Sequence, residues 1–396
     1  MRITSISQRA RPPYLFWIYS GDLAHALDSA TWLNTTQELR KLGWRVDLIV
    51  QGEESLTTLQ ETNVISISSP QIYLIRHIVF HIRLYQLLLA NWKEIDFVLF
   101  HQNSLPWLLV LKPLRWITRQ RNPLFVMDTR TLPMEDPDKA TWRDRIRGNF
   151  FLAMNRWANH WADGQTAITR RISTALGIPS NQLWGVWPSG TDLDLFSTSQ
   201  KNRQMPSGDE PLIVTYIGAM HHERCLLELC QAVELANQEG LNFRLLLCGE
   251  GTARAELEAF SQRQDGVVQV LHAVPHSQVP ALLASAHIGA LPFPDEEKYR
   301  VSSPIKLFEY MAAGMPILAT RIVCHTDVIH GQPYAFWAEN ATPQGLLAAL
   351  RCAWENRARL RELGRLASED AHFWTWEQSA RKLKAALEPQ LHRAGH

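Results

Sequence analysis

Apolar runs and stretches of helical spacing take turns along most of this chain. YLFWIY (14–19) is a compact apolar run that ends at Ser20-Gly21-Asp22, as a buried strand running into a loop does. ATWLNTTQELRKLG (30–43) has helical spacing and stops at Gly43, and WRVDLIV (44–50), DFVLFH (96–101) and PLFVMD (123–128) are further strands. Strands covered on both faces read as continuous apolar runs rather than alternating ones, so this rhythm predicts a parallel sheet flanked by helices. The rhythm breaks over 189–210, where Ser, Gly, Asp, Asn and Pro accumulate without a sustained period, and the segment reads as a linker. It then restarts: strands 212–218, 243–249, 267–272, 288–293 and 316–320 alternate with helices 223–238, 252–263, 277–286 and 303–313. Two doubly wound α/β domains facing a central cleft are the expected fold class, with ligands at the carboxyl ends of the strands.

The last of those helices, in SSPIKLFEYMAAGMP (302–316), carries the sharpest local signal. Ser303 reads as its N-cap and Pro304 sits where a first turn tolerates proline. Three residues after the cap, where a capping box places Glu or Gln, stands Lys306. A cation at the positive end of a helix dipole calls for an anion. Free backbone N–H groups, the hydroxyls of Ser302 and Ser303, the first helical position Ile305 and the Lys306 ammonium together make a phosphate site in chemical terms. Glu309, on the same face, is placed to accept from sugar hydroxyls. The alternative for these residues is a surface Lys306–Glu309 pair, and the sequence by itself leaves both open. In YIGAMHHERCLLEL (216–229), Gly218 admits close approach to the backbone and Arg224 offers a fork for phosphate, although that stretch alone favours a plain strand–turn–helix with a solvated Arg. Gly249 and Glu250, in LCGEGTARAEL (247–257), do not complete a dinucleotide fingerprint, but as a similar strand end they are candidates for binding the donor.

Composition narrows the classes. The 396 residues suit two domains, and 46% hydrophobic with 20% charged residues describes a globular chain. A net charge of +1 argues against general nucleic-acid binding. The charge is uneven, however: residues 1–190 carry 21 Lys and Arg against 15 Asp and Glu, and eleven of the fifteen tryptophans. No apolar run reaches the ~20 residues that span a bilayer, and YLFWIY is too short for a signal-peptide core. Five cysteines, with no CxxC pair, read as buried reduced thiols of a cytoplasmic protein rather than a zinc site. Segments 106–121 and 142–161 mix Trp, Arg and aliphatic residues. They read either as helices packed on the first sheet or as basic amphipathic helices in peripheral contact with an anionic membrane at the inner face of the cell.

WPSGTDLDLF (187–196), YIGAMHHER (216–224), LCGEGTARAEL (247–257), ALLASAHIGALPF (281–293) and SPIKLFEYMAAGMPILAT (303–320) occur in the order and at the spacing of family-4-type glycosyltransferases with the GT-B fold. The resemblance covers 187–320, and more loosely 372–388. It implies an acceptor-binding Rossmann-like domain over 1–188, the linker 189–210, a nucleotide-sugar-binding Rossmann-like domain over 211–370, and a C-terminal segment 371–396 whose helix returns towards the first domain. The activity it implies is transfer of a hexose, with retention, from a nucleotide-sugar to a saccharide or lipid-linked acceptor in polysaccharide or glycolipid synthesis, with UDP-glucose the commonest donor. A nucleotide-sugar-binding protein without transfer activity and an epimerase on the same fold are the alternatives. By resemblance Arg224 and Lys306 contact the diphosphate, Gly218 lies against it, Glu309 holds the ribose, and backbone groups at His272, Ala273 and Val274 meet the base; Gly21 stands in for a glycine pair before the first helix. Near the end of the strand 123–128 the family places a functional His; here Asp128 and Arg130 are offered, with His101 as a further candidate. No metal or cofactor is expected, and Asp192-Leu193-Asp194 is read as part of the linker motif rather than a metal-binding DxD. The family's paired glutamates are incomplete: Val301 occupies the first position, with Asp295, Glu296 and Glu297 the nearest carboxylates. Ala219 stands where the family often has Arg.

Overall fold

The computed structural model describes residues 11–23, 29–52, 55–59, 62–70, 72–118, 123–133 and 141–393. The chain divides into two compact units, one formed by residues up to Pro188 together with the segment from Ser379 onward, the other by Ser189–Gln378.

Among the described residues, the first unit holds an eight-stranded sheet: β1 (Tyr14–Asp22), β2 (Arg45–Gln51), β3 (Ser55–Leu59), β4 (Thr62–Ile67), β5 (Phe97–Phe100), β6 (Leu124–Thr129), β7 (Gly164–Ala167) and β8 (Leu183–Val186). Their order is β3-β4-β2-β1-β5-β6-β7-β8, parallel throughout except that β3 runs antiparallel to β4. On one face lie α1 (Ser29–Lys41) and the carboxyl-terminal part of the chain's last helix, which contributes Ala380, Leu383 and Leu387 to a core with Leu15, Trp17, Trp32 and Trp187. On the other lie α2 (Tyr73–Ala90), α3 (Leu105–Leu109), α4 (Leu114–Thr118) and α5 (Trp142–Trp161), packed on Phe16, Ile18, Val98 and Phe125. A short α6 (Arg170–Ala175) joins β7 to β8. Each strand alternates its side chains between the two faces, which is why two cores grow from one apolar run.

The second unit begins inside the segment expected to be a linker. That expectation is corrected for Leu193–Asn202, which form α7. Asp192 caps it, its Oδ1 accepting from Leu195 N at 3.0 Å, so the first Asp of the Asp-Leu-Asp triplet serves the helix start. Ser199 Oγ donates to Pro280 O at 2.8 Å. Arg203, 6% exposed, donates to the carbonyls of Leu283, Ala286, Ala313 and Gly314 at 2.7–3.0 Å. A polar composition conceals this anchoring because its partners are backbone atoms.

The remaining strands are β9 (Leu212–Ile217), β10 (Phe243–Cys248), β11 (Val268–Leu271), β12 (Ile288–Leu291), β13 (Ile317–Thr320) and β14 (Ala335–Ala338). The intervening helices are α8 (Leu226–Gln238), α9 (Arg254–Ser261), α10 (Val279–Ala284), α11 (Glu297–Arg300), α12 (Ile305–Ala312), α13 (Val323–Ile329), α14 (Pro343–Glu355) and α15 (Leu360–Ala371), with α16 (Trp376–Arg393) closing the chain. The sheet is fully parallel in the order β11-β10-β9-β12-β13-β14. The chain therefore winds outwards from β9 in one direction, then restarts at β12 in the other. In such sheets the carboxyl ends of the two strands at the reversal, here β9 and β12, frame the ligand crevice. The cysteines depart from expectation in part: Cys230, Cys248 and Cys324 are buried thiols, but Cys352 is exposed and Cys225 half-buried.

Candidate functional site

At the carboxyl end of the second sheet, β9 and β10 emerge side by side. Gly218 N donates to Cys248 O at 2.8 Å and Met220 N to Glu250 O at 2.7 Å, so the pairing continues past the strands themselves. A Cβ on Gly249 would stand 1.8 Å from Gly218 O, which excludes any side chain there. Gly218 has φ +140°, and a Cβ on it would stand 2.0 Å from Lys306 Cε and 2.5 Å from Nζ. The Lys306 side chain thus lies directly over the Gly218 α-carbon, its Nζ 5.7 Å from the Tyr216 ring centroid.

Lys306 reaches this position from the first turn of α12. The helix begins one residue later than its capping pattern predicts: Pro304 is the N-cap and bears no side-chain acceptor, so Lys306 is at N2 rather than N3. Ser303 is displaced from the capping role because its Oγ accepts from Ser189 N at 3.1 Å. Ser302 Oγ donates to Tyr299 O at 2.7 Å, and Ile305 is the first helical residue. Without a capping side chain, the first N–H groups of α12 are left for an external acceptor.

Arg224 approaches from the 3-10 turn His222–Arg224 that precedes α8. Its guanidinium lies 4.8 Å from the Phe293 ring centroid and 5.1 Å from that of Tyr299, two rings stacked at 5.1 Å. Tyr299 OH donates to Glu223 O at 2.8 Å, fixing the shelf to the turn. Arg224 Nε is buried without a hydrogen-bond partner among the described residues. The two cations feel each other. Burial first, and the Arg224 guanidinium second, push the Lys306 ammonium down to about 8, against the opposing pull of Glu309. A glycine floor, two converging cations and an uncapped helix start can bind a diphosphate, and the anion would relieve the repulsion.

The structure engages Glu309 with a group that sequence reasoning missed. Its Oε1 lies 2.8 Å from His276 Nε2, and that hydrogen bond raises the His276 imidazole above the usual histidine range, with burial acting the other way. Glu250, His272 and Ala273 meet at the ends of β10 and β11: Glu250 Oε1 lies 2.8 Å from His272 Nδ1 and 3.4 Å from Ala273 N. Cys248 Sγ donates to His272 O at 3.1 Å, and its thiol in turn receives a backbone hydrogen bond from Val274. The backbone groups expected to meet a base therefore already have protein partners at these three positions. Arg254, which the sequence did not single out, donates to Gly249 O at 2.7 Å and Leu271 O at 3.0 Å and tightens the same strand ends. Val301 is buried, Asp295 pairs with Arg300 at 2.6 Å, and Glu296 with Lys298 at 2.9 Å.

The first-unit candidates form a separate group. Asp128 is fully buried; its Oδ1 accepts from Thr166 Oγ1 at 2.6 Å and from Trp187 Nε1 at 2.9 Å. Offered as a catalytic carboxylate, it is enclosed here, with Oδ1 holding Trp187 in place and Oδ2 buried without a hydrogen-bond partner among the described residues. Arg130 stacks on the same indole at 3.7 Å and donates to Trp187 O at 3.0 Å. His101 Nδ1 lies 3.0 Å from Asp128 O, with the ring edge-on to Trp32 at 4.8 Å. Gly21 lies in β1, where a Cβ would meet the Tyr19 ring at 2.8 Å. These residues pack with one another around Trp187 and the end of β1.

Two doubly wound Rossmann-like units, the second bearing a cationic crevice at its strand reversal, define the GT-B class of glycosyltransferase folds. Residues 211–356 match the family model for Glycosyl transferases group 1. The chain is 26% identical over 188 residues to the 2-deoxystreptamine glucosyltransferase of Streptomyces kanamyceticus, a match covering 44% of this chain and 47% of that protein. It is 27% identical over 207 residues to the GDP-mannose-dependent alpha-(1-6)-phosphatidylinositol dimannoside mannosyltransferase of Mycobacterium tuberculosis, covering 50% and 51%. The chain thus spans about half the length of the curated relatives it matches. Across nearly its whole length it shares a fold with Anabaena HepE solved in complex with UDP, at TM-score 0.69, 16% identity, and 95% and 100% coverage of the two chains.

Proposed function

We propose that the protein transfers a hexose from a UDP-sugar to a saccharide or lipid-linked acceptor, with retention and without a metal. The observation that carries this reading is Lys306 lying over Gly218 at the strand reversal, near enough to the Arg224 guanidinium to feel its charge. When the bond between the sugar C1 and the diphosphate oxygen breaks, negative charge collects on the leaving group. Fixed cations in a partly desolvated crevice stabilise that charge more than they stabilise the ground state. The same two cations do the work that a divalent ion does elsewhere, so chelators leave turnover unchanged. A retaining double displacement needs a carboxylate nucleophile near C1. Asp128 is enclosed, Val301 is apolar, and Asp295 and Glu296 are paired with cations. The reading favoured here is therefore front-face transfer, in which the leaving diphosphate accepts the acceptor's proton. UDP rests on the HepE complex and on the glucosyl-transferring relative; the mannosyl relative makes GDP-mannose the competing donor. A donor of this kind and five unpaired thiols fit a cytoplasmic enzyme.

The test is a donor panel of UDP-glucose, UDP-galactose and GDP-mannose, reading nucleotide release with and without lipid-linked acceptors. Turnover is expected with a UDP-sugar, and Lys306→Ala is expected to lower it about 100-fold or more. Nucleotide binding without turnover under every condition would replace this reading with that of a binding protein.

A further inference from the structure

Among the described residues, fifteen large apolar side chains are exposed, and fourteen of them lie between Ile72 and Trp161. All fourteen belong to or directly flank α2, α3, α4 and α5, the layer on one face of the first sheet; among the described residues the face carrying α1 shows none. These helices are neighbours. Tyr85 OH of α2 donates to Trp107 O of α3, Lys112 ahead of α4 donates to Trp161 O of α5, and Arg115 of α4 pairs with Asp163 just beyond α5.

Helix α5 shows how the surface is made. At about 100° per residue, its buried Phe151, Met154 and Ala158 fall on one stripe. Trp142, Ile146, Phe150, Trp157 and Trp161 fall on an adjacent stripe about 100° wide, 39–67% exposed. A helix that only covered a sheet would need the first stripe alone. Exposed arginines flank the second on both sides, Arg145 and Arg156 along one edge, Arg143 and Arg147 along the other. On α2, Ile75, Ile78, Ile82 and Leu89 likewise share one outward stripe.

The charge decides what this surface fits. Helices α2 and α5 carry six arginines and one carboxylate, Asp144, which is committed to the capping box with Thr141. A second copy docking here would set the four exposed arginines of α5 against four. An anionic lipid surface offers the opposite charge, an apolar phase for the stripe, and an interfacial zone that suits tryptophan.

We propose that the outer surface of the α2–α5 layer is a docking face for anionic phospholipid bilayers, with the α5 stripe lying in the interface. This is independent of which sugar the second unit binds. Among the described residues no helix is long and apolar enough to cross a membrane, so the attachment is peripheral.

The test is co-sedimentation of the full chain with vesicles of phosphatidylcholine alone or with about 30% phosphatidylglycerol, at low and high salt. Binding to the anionic vesicles is expected to be about tenfold tighter or more, and to weaken sharply at high salt, where screening shortens to a few ångströms. Replacing Trp142, Trp157 and Trp161 together by Ser is expected to weaken binding about tenfold or more while melting temperature and circular dichroism stay unchanged. Arg145→Gln with Arg156→Gln is expected to lose about fivefold per residue and to flatten the salt dependence. Equal binding to neutral and anionic vesicles, no sedimentation at low salt, or an unchanged triple variant would overturn the proposal. So would a vesicle-free dimer that the triple variant dissociates, which would assign the face to a second copy.

Discussion

Lys306 gives the proposed site a measurable proton linkage. In the nucleotide-free protein its ammonium is held at about 8, against an ordinary 10.5, by burial and by Arg224. Keeping it charged below that pH therefore costs about 3 kcal/mol relative to water. On the proposed function, a diphosphate bound beside the two cations would return Lys306 towards its ordinary value. At pH 8 the free site is about half protonated and the bound site fully so, and binding takes up about half a proton. Affinity is nearly flat below pH 7.5, then falls, reaching about tenfold weaker at pH 9 than at pH 7. The terminal phosphate of UDP titrates near pH 6 and stays out of this window. Isothermal titration of UDP at pH 8 in two buffers of different ionisation enthalpy counts the proton directly, with Lys306→Met as the control that removes it. A flat affinity from pH 7 to 9, or the same proton uptake in Lys306→Met, would refute the reasoning. The apo protein offers a second reading of the same term. The folded state binds the proton less tightly than the unfolded chain, so the deficit is fully present below about pH 8 and disappears as pH rises towards 10.5. Lys306→Met should thus melt a few degrees higher than wild type at pH 7, with the gap closing at pH 10.

Three other outcomes follow from single contacts. Gly218→Ala places a methyl 2.0 Å from Lys306 Cε at φ +140°, so the lysine must leave its place; UDP affinity should drop about tenfold or more, and stability by about 1–2 kcal/mol, in calorimetry and denaturant titration. Arg203→Ala strips four backbone carbonyls around the ends of α10 and α12 of their donor; urea unfolding should show a loss of roughly 3–4 kcal/mol, only partly restored by Lys, and a loss under about 1 kcal/mol would contradict the anchoring role. Asp128→Asn keeps the Oδ1 acceptor for Thr166 and Trp187; turnover within about threefold of wild type is expected, whereas a loss of about 100-fold would restore Asp128 as a proton-transfer group.

Strand cores were readable where a buried parallel strand is built from a mostly apolar run, as in YLFWIY or LIVTYI. The hairpin β3–β4 was not readable: its SLTTL and TNVISI are mixed polar stretches. Nor were β7 and β8: GQTA buries the polar Gln165 and Thr166, and Gly185 interrupts LWGV. The linker failed for a different reason, since Arg203 takes its stabilisation from carbonyls that any sequence would supply. The site lies between these cases. Residue types at Gly218, Arg224 and Lys306 were legible, but 82 to 88 residues of chain separate Lys306 from the other two. Only the winding order of β9 and β12 brings them to one crevice. Their juxtaposition also changes what Lys306 means. As a cation near a helix start it would be a small local mismatch with the dipole. Placed over a glycine and beside Arg224, it is a destabilising charge that the fold holds in the absence of ligand. An anion of the right length relieves that term, and the relief contributes to affinity. On the proposed function, the affinity for diphosphate and the pH at which it fades would have one physical origin, so a variant that moves one without the other would show that Lys306 is not its source.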